Sequence, residues 1–358
     1  MIVVDGTFLK TTYEGTLFTA STMDANKHIF TLAFRIGDSE NDSSWEWFFH
    51  KLRETFGERE GMTIISNRHK SIEKAVATVY PNIFHGSCIL HLLNNIKVNF
   101  GAHGEVLTLN FVKAAKTYNT KSFEEYMSKL DKIDNRIIPY LQRIGYEYWS
   151  RCHCPTRRYT LMTSNIAESI NSAILATITL PITTMMESLR SLVQKWVRTN
   201  DNEAHGTFTK VSTVTEKILR DNFIRARKYE VTQVTTILHQ VNVLEKGKFL
   251  VNLLDKTCEC NRFQQDEIPC AHAIVVFSKR GLRVYDYVAD YYKPDEMKAT
   301  YDTTTNPLPN ESEWTLPESL ERIVLPPNTK KRAGRPRRRR ISSKGKPKNS
   351  YNKKKQYI

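Results

Sequence analysis

Residues 258–272 read CECNRFQQDEIPCAH, which sets Cys258-x-Cys260 nine residues ahead of Cys270-x-His272. Three thiolates and an imidazole satisfy Zn2+ as a closed tetrahedron and leave no position for a substrate, so the pattern predicts a structural metal centre. A unit this small is unfolded without its ion, so the fold must bring both ligand pairs into one coordination sphere. The apolar residues Leu250, Val251, Leu253 and Leu254 predict a strand leading into the first pair, and residues 271–277 predict a helix that carries His272. The other three cysteines are Cys88, Cys152 and Cys154. Short C-x-C pairs without a basic-then-apolar leader predict reduced thiols rather than disulfides. Cys152, His153 and Cys154 could join Cys88 and His91 at a second metal site, but that spacing matches no standard zinc module.

At the other end of the chain, IVVDGTFLK (residues 2–10) runs three β-branched residues into Asp5 and Gly6. A buried strand that ends on a carboxylate places it at the rim of a sheet, where metal chemistry is done. Apolar runs at 16–23 and 29–36 extend this into a three-stranded antiparallel meander. A helix follows, capped by Ser43 and Ser44, whose buried face carries Trp45, Phe48, Phe49, Leu52 and Phe56. Short strands at 62–65 and 83–88 alternate with helices at 72–80 and after Cys88. The order βββ-α-β-α-β-α sets the first strand beside the fourth, as in a ribonuclease H-like α/β core with a mixed sheet.

That order brings Asp5 next to Asn67, at the end of the fourth strand. Two-metal phosphoryl-transfer sites need carboxylates at both positions, because two close Mg2+ ions share anionic oxygens. An amide supplies no charge, so Mg2+ binding here is expected to be weak. Glu168, on a late helix that follows Thr163, Ser164 and Asn165, is the third ligand such a core requires. Asp24, Asp38 and Glu40 sit near loop ends and are expected to be solvated. Were the core active, a neighbouring carboxylate such as Asp24 or Glu73 would have to reach the metal.

The pattern divides the chain into a core at 1–100 and 150–175, a helical insertion at 101–149, a helical region at 176–245, a zinc unit at 249–280 and a tail at 325–358. The Tyr-rich stretch 285–292 is expected to pack against the zinc unit. The net charge of +15 is concentrated in the tail: residues 328–358 hold 14 Lys or Arg and no acid, leaving 39 basic against 38 acidic residues elsewhere. Such an extension reads as a disordered polyanion-binding arm. Arg332, Gly334, Arg335, Pro336, Arg337 and Arg338 resemble an AT-hook, whose extended backbone lies in the narrow A·T minor groove. A nuclear localisation signal or general polyanion arm fits the same residues, and both readings predict a nucleus. No apolar run approaches the roughly 18 residues of a membrane span, so no membrane partner is expected.

DGTFLK at 5–10, SSWEWFF at 43–49, IISNRHKSI at 64–72, Cys88-x-x-His91 and MTSNIAESIN at 162–171 together resemble the Mutator-like (MULE) transposase domain and the far-red-impaired-response regulators derived from it. The zinc pattern resembles the SWIM finger that often follows this core. The resemblance covers roughly residues 1–280. It implies an Asp-Asp-Glu triad at Asp5, position 67 and Glu168, and makes Cys88 and His91 the family's Cys-x-x-His motif. Asn67 departs from that triad, where the family reads I-S-D. The sequence also begins inside its first strand, without the N-terminal DNA-binding domain expected of a full-length relative. The resemblance therefore implies a truncated or catalytically weakened transposase that binds Zn2+ and associates with DNA, with the finger contacting either DNA or protein. The competing expectations are a domesticated, non-enzymatic nuclear transcription regulator and an active Mg2+-dependent transposase.

Overall fold

The computed structural model describes residues 1–10, 15–101, 104–157, 177–245 and 247–302, with the isolated positions 170, 173 and 313. Strands β1 (Ile2–Phe8), β2 (Thr16–Met23), β3 (Ile29–Gly37), β4 (Thr63–Ser66) and β5 (Phe84–Ser87) form one sheet in the order β3-β2-β1-β4-β5. The first three strands pair antiparallel, whereas β1, β4 and β5 run parallel. Helices α1 (Asp42–Phe56) and α2 (Lys70–Val79) make the crossover connections that parallel neighbours need.

Alternation along β1 explains why both faces of the sheet are covered. Ile2 and Val4 point to one side with Phe18 and Ile64, against Trp45, Phe48, Phe49 and Leu52 of α1 and Ile72 and Val76 of α2. Val3 points to the other side with Leu17 and Ile65, against Cys88, Met185 and Leu189. The Trp45 ring meets Phe18 edge-on at 4.7 Å and stacks on Phe49 at 5.8 Å, which fixes the position of α1 on the sheet. The cap of α1 lies two residues earlier than the Ser43-Ser44 pair suggests. Asn41 adopts an extended backbone, and its Oδ1 accepts from Ser44 N at 2.9 Å and from Ser43 Oγ at 2.9 Å. With Asn41 as the cap, the serines become first-turn residues.

Helix α3 (Ile89–Phe100) leaves β5 and joins α4 (Glu105–Lys116), α5 (Thr120–Asp131) and α6 (Ile137–Ile144) around a separate core. Phe111 stacks on Trp149 at its centre, with ring centroids 5.2 Å apart. Beyond it, α7 (Ile182–His205) and α8 (Thr213–Ala226) are helical as the sequence predicts.

The structure then departs from the helical reading of 176–245. Residues 230–243 hold β6 (Glu230–Gln233) and β7 (Leu238–Val243), which continue into β8 (Gly247–Asn252) and β9 (Thr257–Cys258) as an antiparallel sheet ordered β6-β7-β8-β9. The reason is a period-2 pattern: His239, Val241 and Val243 are buried while the residues between them are not, and Val and Thr are frequent throughout the stretch. Leu253 and Leu254 are likewise not strand residues. Asn252 Oδ1 accepts from Leu254 N (2.9 Å) and Asp255 N (3.2 Å), an Asx turn that ends β8. Helices α9 (Arg262–Asp266), α10 (Ala271–Arg280) and α11 (Pro294–Tyr301) complete the C-terminal unit. Tyr285, Tyr287 and Tyr292 pack into its core, as the Tyr-rich stretch suggests. Among the described residues, no helix is long and apolar enough to cross a membrane.

The β2–β3 turn is bound to this C-terminal half, which overturns the solvated reading of Asp24. Its side chain is 1% exposed and accepts from His28 N (2.6 Å), the His28 ring (2.9 Å) and Tyr301 Oη (2.9 Å). Asn26 donates to Glu203 Oε1 at 2.9 Å, and Ser212 Oγ donates to Ala25 O at 2.9 Å. A short loop of the sheet is thus held by α7, the start of α8 and α11. Glu40 is also largely enclosed, at 10% side-chain exposure, with its carboxylate against Gly6 and beside Trp45 Nε1 (3.3 Å), whereas Asp38 is exposed as expected.

Candidate metal centre and the edge of the five-stranded sheet

In the C-terminal unit, β8 pairs with β9 through Val251 and Cys258, so the antiparallel ladder delivers the first ligand. Asn261 then turns the chain in a left-handed conformation (φ 59°) into the single helical turn of α9. Cys270 is the N-cap of α10, and this places His272 in that helix's first turn. The result gathers Cys258, Cys260, Cys270 and His272 with all ligand atoms within 4.8 Å of one another. Cys258 Sγ and Cys270 Sγ lie 3.5 and 3.9 Å from His272 Nδ1. A tetrahedron with zinc–ligand bonds of about 2.0–2.3 Å has edges of about 3.5–3.8 Å, so the donor set fits Zn2+ in both chemistry and spacing.

The surroundings hold the ligands in place. The His272 ring lies between Phe249 (4.2 Å, 16° between planes) and Tyr229 (5.2 Å, 25°), so it cannot rotate away from the sulfurs. Gln264 accepts from Cys258 N at 3.1 Å and donates to Cys258 O at 3.0 Å and Asn261 Oδ1 at 2.8 Å, tying α9 to the first ligand. Hydrogen bonding among the three sulfurs and burial raise the Cys258 thiol, the same sulfur contacts lower Cys260, and burial above all pushes Cys270 up to about 12. A divalent cation bound here would take the place of the thiol protons. Tyr229, Phe249 and Gln264 carry no motif in the sequence; the start of β6, the register of β8 and the turn of α9 bring them to the site.

The second candidate lies at the edge where β4 and β5 end beside β1; the first strand does not end on its carboxylate as the sequence suggests, because β1 continues past Asp5 to Phe8, paired with β2 throughout. Val3 pairs with Ile65 in the parallel β1–β4 ladder. Asp5 lies two residues further along inside β1, and Asn67 two residues further along in the loop just past the end of β4. Asp5 is 8% exposed. Asn67 Oδ1 accepts from His69 N at 2.9 Å, an Asx turn that starts α2. Cys88 is buried at the N-cap of α3, and its N–H donates to Ser66 O at 2.8 Å, which ties β5 to the end of β4. His91 follows on the first turn of α3. Glu168 lies outside the described residues, as do Arg332, Gly334, Arg335, Pro336, Arg337 and Arg338.

Neither substitute carboxylate is placed to complete this edge. Asp24 lies five residues past Thr19, the partner of Asp5 on β2, and so ~16 Å away at the opposite end of the sheet. Glu73 is exposed on α2. Two close Mg2+ ions need shared anionic oxygens, and the neutral amide at position 67 does not fit that requirement. Among the described residues, Cys152, His153 and Cys154 form no metal cluster with Cys88 and His91. Ser150 Oγ lies 2.9 Å from His153 Nδ1, and the imidazole packs edge-on to Phe123 at 4.6 Å.

Residues 1–95 match the MULE transposase domain, and residues 239–281 match the SWIM zinc finger. No curated protein matches the chain. The finger match begins at His239, so it takes in β7 and β8 as well as the four ligands. The chain therefore carries a MULE transposase domain at 1–95 and a SWIM zinc finger at 239–281, whose Cys3His cluster suits Zn2+.

Proposed function

We propose that this protein associates with DNA through its basic tail, holds one Zn2+ in its finger, and carries a transposase core whose phosphoryl-transfer site is disarmed at Asn67. The observation that carries the reading is the β1–β4 register. It pairs Val3 with Ile65, two residues before Asp5 and Asn67, which supports reading position 67 as the place for a second carboxylate where an amide stands. The strand order β3-β2-β1-β4-β5, with three antiparallel and three parallel members sharing β1, supports a ribonuclease H-like core. Asp5, position 67 and Glu168 are the triad that such a core uses. In an intact core of that kind these three residues would hold divalent ions, which would supply positive charge to a phosphodiester. Asn67 removes one unit of negative charge from that set and spends its side-chain oxygen on the α2 turn.

DNA association rests on the arginine-rich segment 330–340, whose residues suit an A·T minor groove and also a nuclear import signal. Nuclear localisation is part of the same reading. The division into a core at 1–100 and 150–175, a helical insertion at 101–149, the two helices α7 and α8, a finger unit that includes β6–β9, and a tail is its proposed domain plan. A domesticated transcription regulator is the second reading, favoured by an acid site that is degenerate within a well-packed sheet. A reporter assay at promoters the protein occupies separates the two.

The test is Mg2+-dependent nicking of a labelled duplex by the native chain and by Asn67→Asp. The reading expects background activity from the native chain and a gain from Asn67→Asp that Asp5→Asn abolishes. Metal-dependent nicking by the native chain, lost on Asp5→Asn, overturns it.

A further inference from the structure

The nine residues between the two ligand pairs do more than span them. Their outward side is gripped by the helical insertion. Tyr118, between α4 and α5, donates its hydroxyl to both carboxylate oxygens of Asp266 (2.7 and 3.0 Å). Its carbonyl accepts from Asn261 Nδ2 at 3.1 Å. Its ring lies between the guanidinium groups of Arg151 (4.4 Å) and Arg262 (5.0 Å). Arg151 is itself fixed to the end of α4, donating to Lys116 O at 3.2 Å. Nearby, Arg157 pairs with Glu267 at 2.6 Å.

The inward side of the same loop belongs to the metal centre. Gln264 holds Cys258, Asn222 donates to Pro269 O at 3.0 Å, and the loop ends are the ligands Cys260 and Cys270. Asn261 and Glu267, which bracket α9, both have left-handed backbones (φ 59° and 54°). A non-glycine pair in that region is held by its surroundings rather than by intrinsic preference. Residues 213–302 carry 14 basic and 13 acidic side chains, so this unit has no excess charge to attract a polyanion.

We propose that the zinc-closed loop 261–269 is an intramolecular docking face, and that Tyr118 is the positioning residue through which Zn2+ holds the helical insertion against the finger. The proposal rests on the zinc reading of the four ligands. Without the ion the loop ends are free, and Asp266, Asn261 and Arg262 lose the common frame that presents them to one tyrosine.

Hydrogen exchange by mass spectrometry on the full chain tests this, with zinc content measured in parallel by atomic emission. Zinc-loaded and chelator-stripped protein are compared for the native chain, Tyr118→Phe and Tyr118→Ala. The expected result is exchange at least about tenfold faster on stripping, both in 239–281 and in 115–122, with β1 and β4 unchanged. Tyr118→Ala should show the fast rate at 115–122 while still holding one zinc, and stripping should add nothing there. Tyr118→Phe, which keeps the ring and loses the hydroxyl, should lie between and covers the case of an unfolded alanine variant. Faster exchange confined to 239–281 on stripping overturns the docking proposal and leaves the zinc reading intact. A native chain that holds no zinc overturns both.

Discussion

Asp24→Ala is expected to be among the most damaging single changes on the sheet, although the residue sits in a polar turn. The carboxylate is enclosed and accepts three hydrogen bonds, two from His28 and one from Tyr301. Bonds to a charged acceptor contribute ~1.5–3 kcal/mol each, and they do not simply add. Removing the acceptor leaves His28 N–H and the Tyr301 hydroxyl without it at the joint between the sheet and α11. Breaking a buried charged network of this kind costs ~3–5 kcal/mol. For a chain of this size that lowers Tm by roughly 4–7 °C. Urea unfolding of Asp24→Ala, Tyr301→Phe and the double variant measures the coupling, which should be ~1–2 kcal/mol because the two side chains share one bond. Tyr301→Phe loses two bonds, the one to Asp24 and the one from Asn200 at 3.2 Å, whereas Asp24→Ala loses three to a charged acceptor and should cost more. A loss within ~0.5 kcal/mol for Asp24→Ala, the size typical of a solvated acid, refutes the reasoning.

Burial depresses the His85 imidazole to about 4. Its folded value lies below the unfolded one, so its contribution is present above pH ~6.5 and is lost as pH falls toward 4. At ~1.4 kcal/mol per unit the loss approaches ~3 kcal/mol, and urea midpoints for native and His85→Asn chains between pH 7 and 4 should show a slope in the first and a shallower one in the second. Gln264→Ala should weaken zinc by at least about tenfold in competition with a chromogenic chelator while leaving one ion per chain, because it braces a ligand without being one. Cys270→Ser removes a ligand and should abolish stoichiometric zinc binding, with loss of ordered β7–β9 seen as rapid amide exchange. Gly6→Ala would place a methyl 3.0–3.2 Å from the Glu40 carboxylate, and its cost in urea unfolding should be ~1 kcal/mol and fall in Gly6→Ala/Glu40→Ala.

Much of the sheet is legible because its signals are local. Ile2-Val3-Val4 and the run at 16–23 are buried strands whose periodicity is plain in the sequence, and Trp45, Phe48, Phe49 and Leu52 repeat at helical spacing. The two halves of the zinc pattern are equally visible, and the fold gathers them. What was hidden depends on distant partners. Asp24 reads as a loop acid because nothing near it announces Tyr301, 277 residues away. Residues 230–243 read as a continuation of α8 because a short two-stranded pattern is easily absorbed into a preceding helix. The grip of Tyr118 on the finger loop is set by side-chain geometry across 148 residues, which no periodicity encodes.

Calorimetric titration of the zinc-loaded chain with Mn2+, beside Asn67→Asp and Asp5→Asn, tests the disarmed core most directly. The account predicts no heat from the native chain, a site gained in Asn67→Asp, and loss of that site when Asp5→Asn is added. Stoichiometric Mn2+ binding by the native chain, removed by Asp5→Asn, contradicts it.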